Sequence, residues 1–262
     1  MRLFFGFEIH APWPEVLPPG RHLAPEARHI TLAFLGEVDK ESLLPYLDTI
    51  PKPPQEIGWQ GHFSQTEFYP PRHPHVAAWG MQWHAKEDEL HHYQKQLSAW
   101  LKELGFILKE GHPFNPHVTL CRSPFDQKEW REAFEPLPFY TGALNLYQSL
   151  GNSNYKSLWK IPVHPPFIEI EHTADIAYHI FGETEKDLFH SARLALSFKV
   201  PSLVNEPLPL FPVDTLDQAI KGLNWQIAQL DQKQFTPFKA VSYHGQVEKK
   251  GLLTMWEMIV DV

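Results

Sequence analysis

Two short segments with the same pattern, His-x-Thr followed by an apolar residue, constrain this chain of 262 residues more than any other feature. They occupy residues 29–32 and 117–120. Both are β-branched and apolar with turn-forming residues nearby, so both are predicted to be strands. Because successive strand side chains point to opposite faces, the His and Thr of each segment share one face. Two such strands side by side would place two imidazoles and two hydroxyls in one cleft.

Composition excludes several classes of protein. The apolar share of 43% is ample for a packed core, and no apolar run approaches the ~20 residues of a membrane span. Cys121 is the only cysteine, which excludes an intrachain disulfide and a cysteine metal cluster. With no signal-peptide pattern at the N-terminus, a cytoplasmic protein is expected. The net charge of −8 argues against a large nonspecific nucleic-acid surface, but it leaves room for a small basic pocket.

The first 162 residues are predicted to combine strands and helices. The clearest helix is predicted over 85–104, from an apolar stripe at spacings of three and four, and Asp39 is expected to cap a short helix reaching about residue 50. Further strands are predicted over 2–9, 62–68 and 76–83, a short helix over 127–134, and a hairpin over 142–150 and 155–161. Mixed strands and helices with hairpins predict an α+β fold.

The proline-rich segment 162–166 is interpreted as an interdomain linker, the alternative being a loop within one domain. It divides the chain into predicted domains 1–162 and 167–262. In the second domain, one strand is predicted over 167–171 and another in a segment that ends at residue 181. Two more strands are predicted near 238–243 and 252–260. Helices are predicted over 184–198, capped by Thr184, and over 214–230, opened by Asp214.

The paired motif resembles the two-histidine (2H) phosphoesterase superfamily, and within it the LigT-like RNA 2′,3′-cyclic phosphodiesterases. The opening Leu3-Phe4-Phe5-Gly6-Phe7-Glu8-Ile9, Arg28 before the first motif and Leu35-Gly36-Glu37-Val38 after it also resemble that family. The resemblance covers roughly residues 1–162. It implies two-lobed antiparallel sheets with flanking helices, and hydrolysis of RNA 2′,3′-cyclic phosphate ends to a phosphomonoester, expected to be the 2′-phosphate, without a cofactor.

The chemistry of such hydrolysis needs a base that activates water and an acid that protonates the departing ribose oxygen. Histidine suits both roles because its pKa lies near ~6.5. The resemblance implies that His29 is the proton donor and His117 the proton acceptor, although the residues alone do not distinguish the roles. Hydroxyl groups of Thr31 and Thr119 would stabilise the phosphate oxygens as these gain charge.

Three further residues are candidates for substrate binding. Arg28 and Arg122 would hold phosphate or a neighbouring nucleotide, and the alternative for Arg122 is a solvent-exposed strand end. Tyr155 would stack on a base, and its alternative role is that of a hairpin aromatic.

The second domain resembles archease, a family of small proteins that activate the GTP-dependent RNA-splicing ligase. The resemblance is carried by Phe167-Ile168-Glu169-Ile170-Glu171-His172-Thr173-Ala174-Asp175-Ile176, by Tyr243-His244 and by Val260-Asp261-Val262. It implies a divalent cation, Ca²⁺ or Mg²⁺, bound by Asp175, Asp261 and the terminal carboxylate of Val262. The alternative is that Asp175 caps a turn and Asp261 is a frayed end. Only residues 231–237 stand where the family has a strand hairpin, so the domain is a shortened one.

Together these observations predict an enzyme that acts on RNA with 2′,3′-cyclic phosphate ends and is linked through its second domain to RNA repair or tRNA splicing by the ligase. One alternative is a noncatalytic RNA-end-binding or ligase-adaptor protein. Retention of both histidines and both threonines argues against it, because binding alone would favour Arg or Lys. Another alternative is a 2H phosphodiesterase that acts on small cyclic nucleotides, which the net acidity favours mildly.

Overall fold

The fold comes from a computed structural model that describes residues 1–84, 87–108, 113–173, 175–242 and 245–262. It combines helices with two antiparallel sheets, as the predicted α+β class requires. The first sheet contains β1 (Arg2–His10), β2 (Arg21–His22), β3 (His29–Glu37), β4 (Gln60–Tyr69), β5 (Val76–Trp83), β6 (His117–Arg122), β7 (Pro138–Gly151) and β8 (Asn154–Ile161). Its strand order is β2-β6-β5-β4-β7-β1-β3, and β8 pairs with β7. No helix within the described residues is long and apolar enough to cross a membrane.

The two lobes implied by the resemblance are joined into one sheet. The junction is short, because β4 and β7 pair over only three residue pairs, from Gln60 opposite Tyr140 to His62 opposite Pro138. Although β3 and β6 lie near opposite ends of the strand order, they contact each other. The sheet therefore curves and brings the two His-x-Thr strands together.

The predicted alternation holds in both motif strands. Ile30 and Val118 are fully buried, whereas His29 and His117 are half-buried on the other face. The core behind the strands is closed by α1 (Glu87–Glu103), which buries Leu90, Tyr93, Leu97 and Leu101. Gln94 of this helix donates from Nε2 to the carbonyl oxygen of Leu32 at 3.1 Å, which ties the helix to β3. The predicted residues 85 and 86 of this helix lie outside the described residues.

Of two short helices predicted in the first half, one is replaced by 3₁₀ turns and the other forms. The segment after Asp39 forms two 3₁₀ turns, Lys40–Ser42 and Leu44–Thr49, instead of one α-helix. Pro45 cannot donate a backbone hydrogen bond, which keeps the turns short. The helix α2 (Gln127–Glu132) begins at its N-cap Asp126, whose carboxylate accepts from the backbone N–H of Lys128 at 2.7 Å.

The second sheet contains β9 (Phe167–Ile170), β10 (Ile176–Gly182), β11 (Ala240–Val241), β12 (Val247–Lys250) and β13 (Leu253–Asp261). Its order is β11-β13-β10-β9, with β12 pairing with β13. Two helices cover it, α3 (Glu185–Lys199) and α4 (Leu216–Asp231). Thr184 caps α3 as predicted, but the cap of α4 is Thr215 and not Asp214. The exposed, charged strand β12 was not predicted because it shows no apolar alternation.

The segment 162–166 is held against the residues that precede β4. His164 forms an isolated bridge with Ile57 and accepts at its carbonyl from the N–H of Gly58 at 3.1 Å. Beyond it, α3 packs against β4 and β7, where Gln60 donates from Nε2 to the hydroxyl of Ser191 at 2.9 Å. One face of the second half therefore lies against the first sheet.

Candidate active site

A cleft of about 500 Å³ is formed where β3 meets β6. Its wall includes Thr31 and His29 from β3 and Thr119 and Arg122 from β6. The β7–β8 hairpin supplies another wall, and its turn is left-handed at Asn152, with φ 50°, and at Ser153, with φ 62°. The hairpin was predicted from this turn sequence.

Both catalytic candidates are held by the same kind of hydrogen bond. Nδ1 of His29 lies 2.7 Å from the carbonyl oxygen of Ala27, and Nδ1 of His117 lies 2.9 Å from that of Asn115. Since a carbonyl oxygen only accepts, each Nδ1 carries the proton. The neutral ring then has its lone pair at Nε2, the atom available for proton exchange.

His29 lies in an aromatic environment. Its ring centroid is 4.8 Å from those of Phe4 and Tyr155 and 5.3 Å from that of Tyr147. Burial lowers the pKa of His29 to about 4; the hydrogen bond with Ala27 opposes this, and the charges of His117 and Arg122 lower the pKa further. In the substrate-free protein His29 is therefore neutral at pH 7.

His117 has a polar neighbourhood. Its ring centroid is 4.7 Å from that of Tyr69, whose hydroxyl donates to the Glu67 carboxylate and accepts from Nδ2 of Asn115 at 2.7 Å. Asn115 thus binds His117 through its backbone and Tyr69 through its side chain. Burial, and then Glu67, raise the pKa of Tyr69. No sequence pattern indicated Glu67 or Tyr69, which lie on β4, far from the second motif along the chain.

Three arginines line the cleft. Arg122 donates from Nε to the hydroxyl of Ser153 at 3.0 Å, and Arg21 lies beside it in the register of β2 and β6. Arg2 enters from β1, on the same strand face as Phe4. Sequence reasoning singled out only Arg122. The alternation of β1 could have indicated Arg2, whereas the two-residue strand β2 offers no pattern for Arg21.

The structure does not bring Arg28 into this cleft. Its guanidinium lies 4.4 Å from the centroid of Trp13, and its Nε donates to the carbonyl oxygen of Leu23 at 3.2 Å. Burial lowers the pKa of Arg28 to about 10, and the charge of Glu26 opposes this. Tyr155, by contrast, does line the cleft, with its edge against His29.

The cation-binding candidates of the second half lie near one another. Ile176 pairs with Val260, so Asp175 and Asp261 stand at the ends of neighbouring strands. Asp175 lies 3.8 Å from Nδ1 of His172, and the Lys239 ammonium donates to the oxygen of Val262. Among the described residues no group of three or more His, Cys, Asp or Glu is arranged to hold a metal ion. The divalent cation at Asp175, Asp261 and Val262 stays a prediction, and Tyr243 and His244 lie outside the described residues.

No protein-family model matches the chain, and no curated protein matches it. Solved structures do align with 62% of it. TT0787 of Thermus thermophilus is 23% identical over 98% of its own chain, with a TM-score of 0.47. A phosphoesterase is 22% identical over 98% of its chain, with a TM-score of 0.43. E. coli LigT complexed with 3′-AMP is 22% identical over 97% of its chain, with a TM-score of 0.44.

Proposed function

We propose that the first half of the chain hydrolyses RNA 2′,3′-cyclic phosphate ends by general acid–base catalysis with His29 and His117. The observation that carries this proposal is the shared geometry of the two imidazoles. Each holds its proton at Nδ1 against a backbone carbonyl and stands on one of two contacting strands. Such a pair can take a proton at one Nε2 and give one at the other.

In the proposed reaction a water oxygen attacks phosphorus while one imidazole takes the water proton. The bond from phosphorus to O3′ breaks, the other imidazole protonates that oxygen, and a 2′-phosphate remains. The hydroxyls of Thr31 and Thr119, with the charge of Arg122, would stabilise the phosphate oxygens. The reaction needs no metal.

The assignment of roles depends on the charge of His29. With its pKa lowered to about 4, His29 is a proton acceptor in the substrate-free protein. The donor role implied by the resemblance requires that the negative charge of bound substrate raises this pKa.

A noncatalytic RNA-end-binding protein is the rival function. Such a protein would need cationic side chains at the phosphate, but it would not need two imidazoles that each present a lone pair at Nε2. The test is turnover of a short RNA ending in 2′,3′-cyclic phosphate, in EDTA, by the wild type and by His29→Ala and His117→Ala. We expect kcat to fall by roughly 10²–10⁴-fold for each variant. His92→Ala, on the exposed side of α1, is the control and should retain full activity.

Binding of the RNA by the wild type without turnover would overturn the enzyme proposal in favour of the rival. Comparing an oligonucleotide with a cyclic mononucleotide separates RNA ends from small cyclic nucleotides as substrates. Product analysis would show whether the phosphate remains at the 2′ or the 3′ oxygen.

The second half resembles archease, and this resemblance is the basis for linking it to an RNA-splicing ligase. We propose that the whole chain edits RNA ends or controls their quality before ligation. A 2′-phosphate product would block a ligase that uses cyclic or 3′-phosphate ends. Adding the protein to a ligation assay on cyclic-phosphate RNA should therefore lower the yield, and an unchanged rate and yield would remove the proposal. The divalent cation at Asp175 and Asp261 stays a prediction, which a Ca²⁺-dependent shift in Tm would test.

A further inference from the structure

A second cavity, of about 530 Å³, is lined by Glu8 and His10 of β1 and by Tyr140 of β7. Alternation along β1 places Phe4 and Glu8 on one face; Phe4 lines the cleft and Glu8 lines the second cavity. Glu8 is also the partner of His29 in the register of β1 and β3. Paired Cα atoms of antiparallel strands are about 4.5–5.5 Å apart. The cavity therefore begins beside a catalytic candidate, within the reach of one nucleotide.

The Glu8 carboxylate is held in a fixed orientation. Its Oε1 accepts from Nδ2 of the fully buried Asn145 at 3.0 Å, and Asn145 in turn accepts from the hydroxyl of Ser157 at 2.6 Å. The neighbouring His10, whose Nε2 lies 3.8 Å from Oε2 of Glu8, lowers the pKa of Glu8; partial burial opposes this, and the hydrogen bond from Asn145 lowers it again. The side chain retains 34% exposure, so an ionised and oriented carboxylate faces the cavity.

A flat ring lies next to this carboxylate. His10 stacks on Tyr140, with centroids 4.8 Å apart and planes at 20°, and its side chain is 47% exposed. Gly142 makes the arrangement possible, because a Cβ there would lie 2.5 Å from Nε2 of His10 and 3.0 Å from Oε2 of Glu8. The cavity thus offers a stacking surface and a hydrogen-bond acceptor side by side.

The cleft and the second cavity differ in the charge of the residues that line them. The cleft is lined by Arg2, Arg21 and Arg122, which suit phosphate. The second cavity carries the carboxylates of Glu8 and Glu26 against the single guanidinium of Arg28, which already lies on Trp13. A phosphate is repelled there, whereas an uncharged base with N–H donors is attracted.

We propose that this cavity binds the nucleobase of the nucleotide whose cyclic phosphate lies in the cleft, and that Glu8 selects guanine. Guanine presents two adjacent N–H donors, at N1 and N2, to a carboxylate, whereas uracil presents only one N–H between two carbonyls. Base edges read by side chains and bases stacked on rings are the usual means of recognising single-stranded RNA. The inference rests on the proposed function, since it places the phosphate between the two histidines.

The second half of the chain contributes to this subsite. Phe198 of α3 lines the cavity and packs against Tyr140, with centroids 5.6 Å apart. Phe167 of β9 packs on the same ring at 5.7 Å. The second half therefore supports the ring on which His10 stacks.

The test compares guanine with uracil at the same reacting group. The measurements are kcat/KM for 2′,3′-cyclic GMP and 2′,3′-cyclic UMP, and the Kd of 2′-GMP and 2′-UMP by calorimetry. The wild type should favour guanine by roughly tenfold or more, the usual discrimination of one oriented hydrogen-bonding pair. In Glu8→Gln, which keeps the side-chain volume, the ratio should fall to near one. Glu132→Gln on α2 is the matched control, since it removes an exposed carboxylate that is distant from Glu8 in the sequence. This variant should keep the wild-type ratio of guanine to uracil.

Each negative result of this experiment has a different meaning. Turnover of neither cyclic nucleotide, with a short RNA ending in 2′,3′-cyclic phosphate still hydrolysed, would leave the proposed function standing, and the two Kd values would then decide the subsite. Turnover of none of the three substrates would remove the proposed function. Equal Kd and kcat/KM for both bases in the wild type would overturn guanine selection. An equal loss for both bases in Glu8→Gln would also overturn it, because Glu8 would then act on the reaction and not on the base.

Discussion

The edge of the Tyr155 ring meets the imidazole of His29, with centroids 4.8 Å apart and planes at 83°. Phe4 and Tyr147 close other sides of the same imidazole. This exclusion of water is the main cause of the lowered pKa of His29, about 4, because a charged imidazolium would lose its hydration here. The hairpin that carries Tyr155 therefore controls the charge of a catalytic candidate.

Replacing Tyr155 with alanine should raise the pKa of His29 from about 4 toward its ordinary value of 6.5. Water would then reach the ring and solvate its charged form. The measurement is an NMR titration of the His29 ring, together with the pH dependence of kcat/KM, whose His29 limb should move to higher pH. A limb that falls with rising pH identifies His29 as donor, and one that rises identifies it as acceptor. Tyr46→Ala, at an exposed tyrosine outside the cleft, should leave the titration unchanged, and an unchanged titration in Tyr155→Ala would contradict this explanation.

Tyr69→Phe should lower kcat by several-fold to roughly tenfold while leaving KM nearly unchanged. The Tyr69 hydroxyl accepts from Nδ2 of Asn115, and the carbonyl of Asn115 holds Nδ1 of His117. Without the hydroxyl, Asn115 loses the partner that fixes its position, and His117 is held less firmly in its orientation. Steady-state kinetics on the cyclic-phosphate substrate measure the effect.

The matched control for that variant is Tyr93→Phe. Its hydroxyl donates to the carbonyl oxygen of Pro51 at 2.9 Å on the core side of the first sheet, so this variant also loses a partly buried tyrosine hydroxyl. Stability should fall by about 1 kcal/mol with kcat unchanged. Equal effects of the two variants on kcat would show that Tyr69 has no specific role toward His117.

Arg122→Ala should raise KM by roughly 10-fold or more, since hydrogen bonds to charged groups contribute about 1.5–3 kcal/mol. Arg122 lines the cleft beside Thr119 and is oriented by the hydroxyl of Ser153. The wild-type KM should also increase with ionic strength, and that dependence should weaken in the variant. Arg131→Ala, which removes an arginine of α2 from the ring of Phe68, should change neither quantity. A KM equal to that of the wild type would exclude Arg122 from phosphate binding.

Local patterns predicted the elements that carry the site. The alternation of His29 with Ile30 and of His117 with Val118 follows from strand geometry alone, and the turn at Asn152 follows from its residue types. The same rule does not extend to Arg28, which precedes the first residue of β3 and lies on the ring of Trp13, outside the cleft.

These local patterns could not predict which strands distant in the sequence contact each other. The contact of β3 with β6 depends on the curvature of the whole sheet, and nothing in the sequence places Glu67 or Tyr69 beside His117. By its pattern alone, Glu8 is one polar position of an alternating strand. Its proposed role depends on its contacts with Asn145 and His10, which the sequence pattern does not predict.

Acid should destabilise the contact between the two halves through His190. This residue of α3 is 6% exposed, and it faces His84 at the end of β5, with ring centroids 6.3 Å apart. Burial, and then the charge of Arg193, lower the pKa of His190 to about 4; Lys186 lowers it further and Asp187 opposes this. Burial and Arg193 also lower the pKa of His84 and of His62 on β4.

Between pH 4 and 6.5 the unfolded chain therefore binds more protons at position 190 than the folded protein does. The free energy of unfolding falls as pH falls through this window and is fully restored above pH 6.5. In His190→Gln the decrease in Tm between pH 7 and pH 4.5 should be smaller than in the wild type, by about 3 °C or more. Thermal unfolding followed by circular dichroism at both pH values measures this, with the exposed His92→Gln as control. An equal decrease in His190→Gln and in the wild type would show that His190 does not contribute to the acid sensitivity.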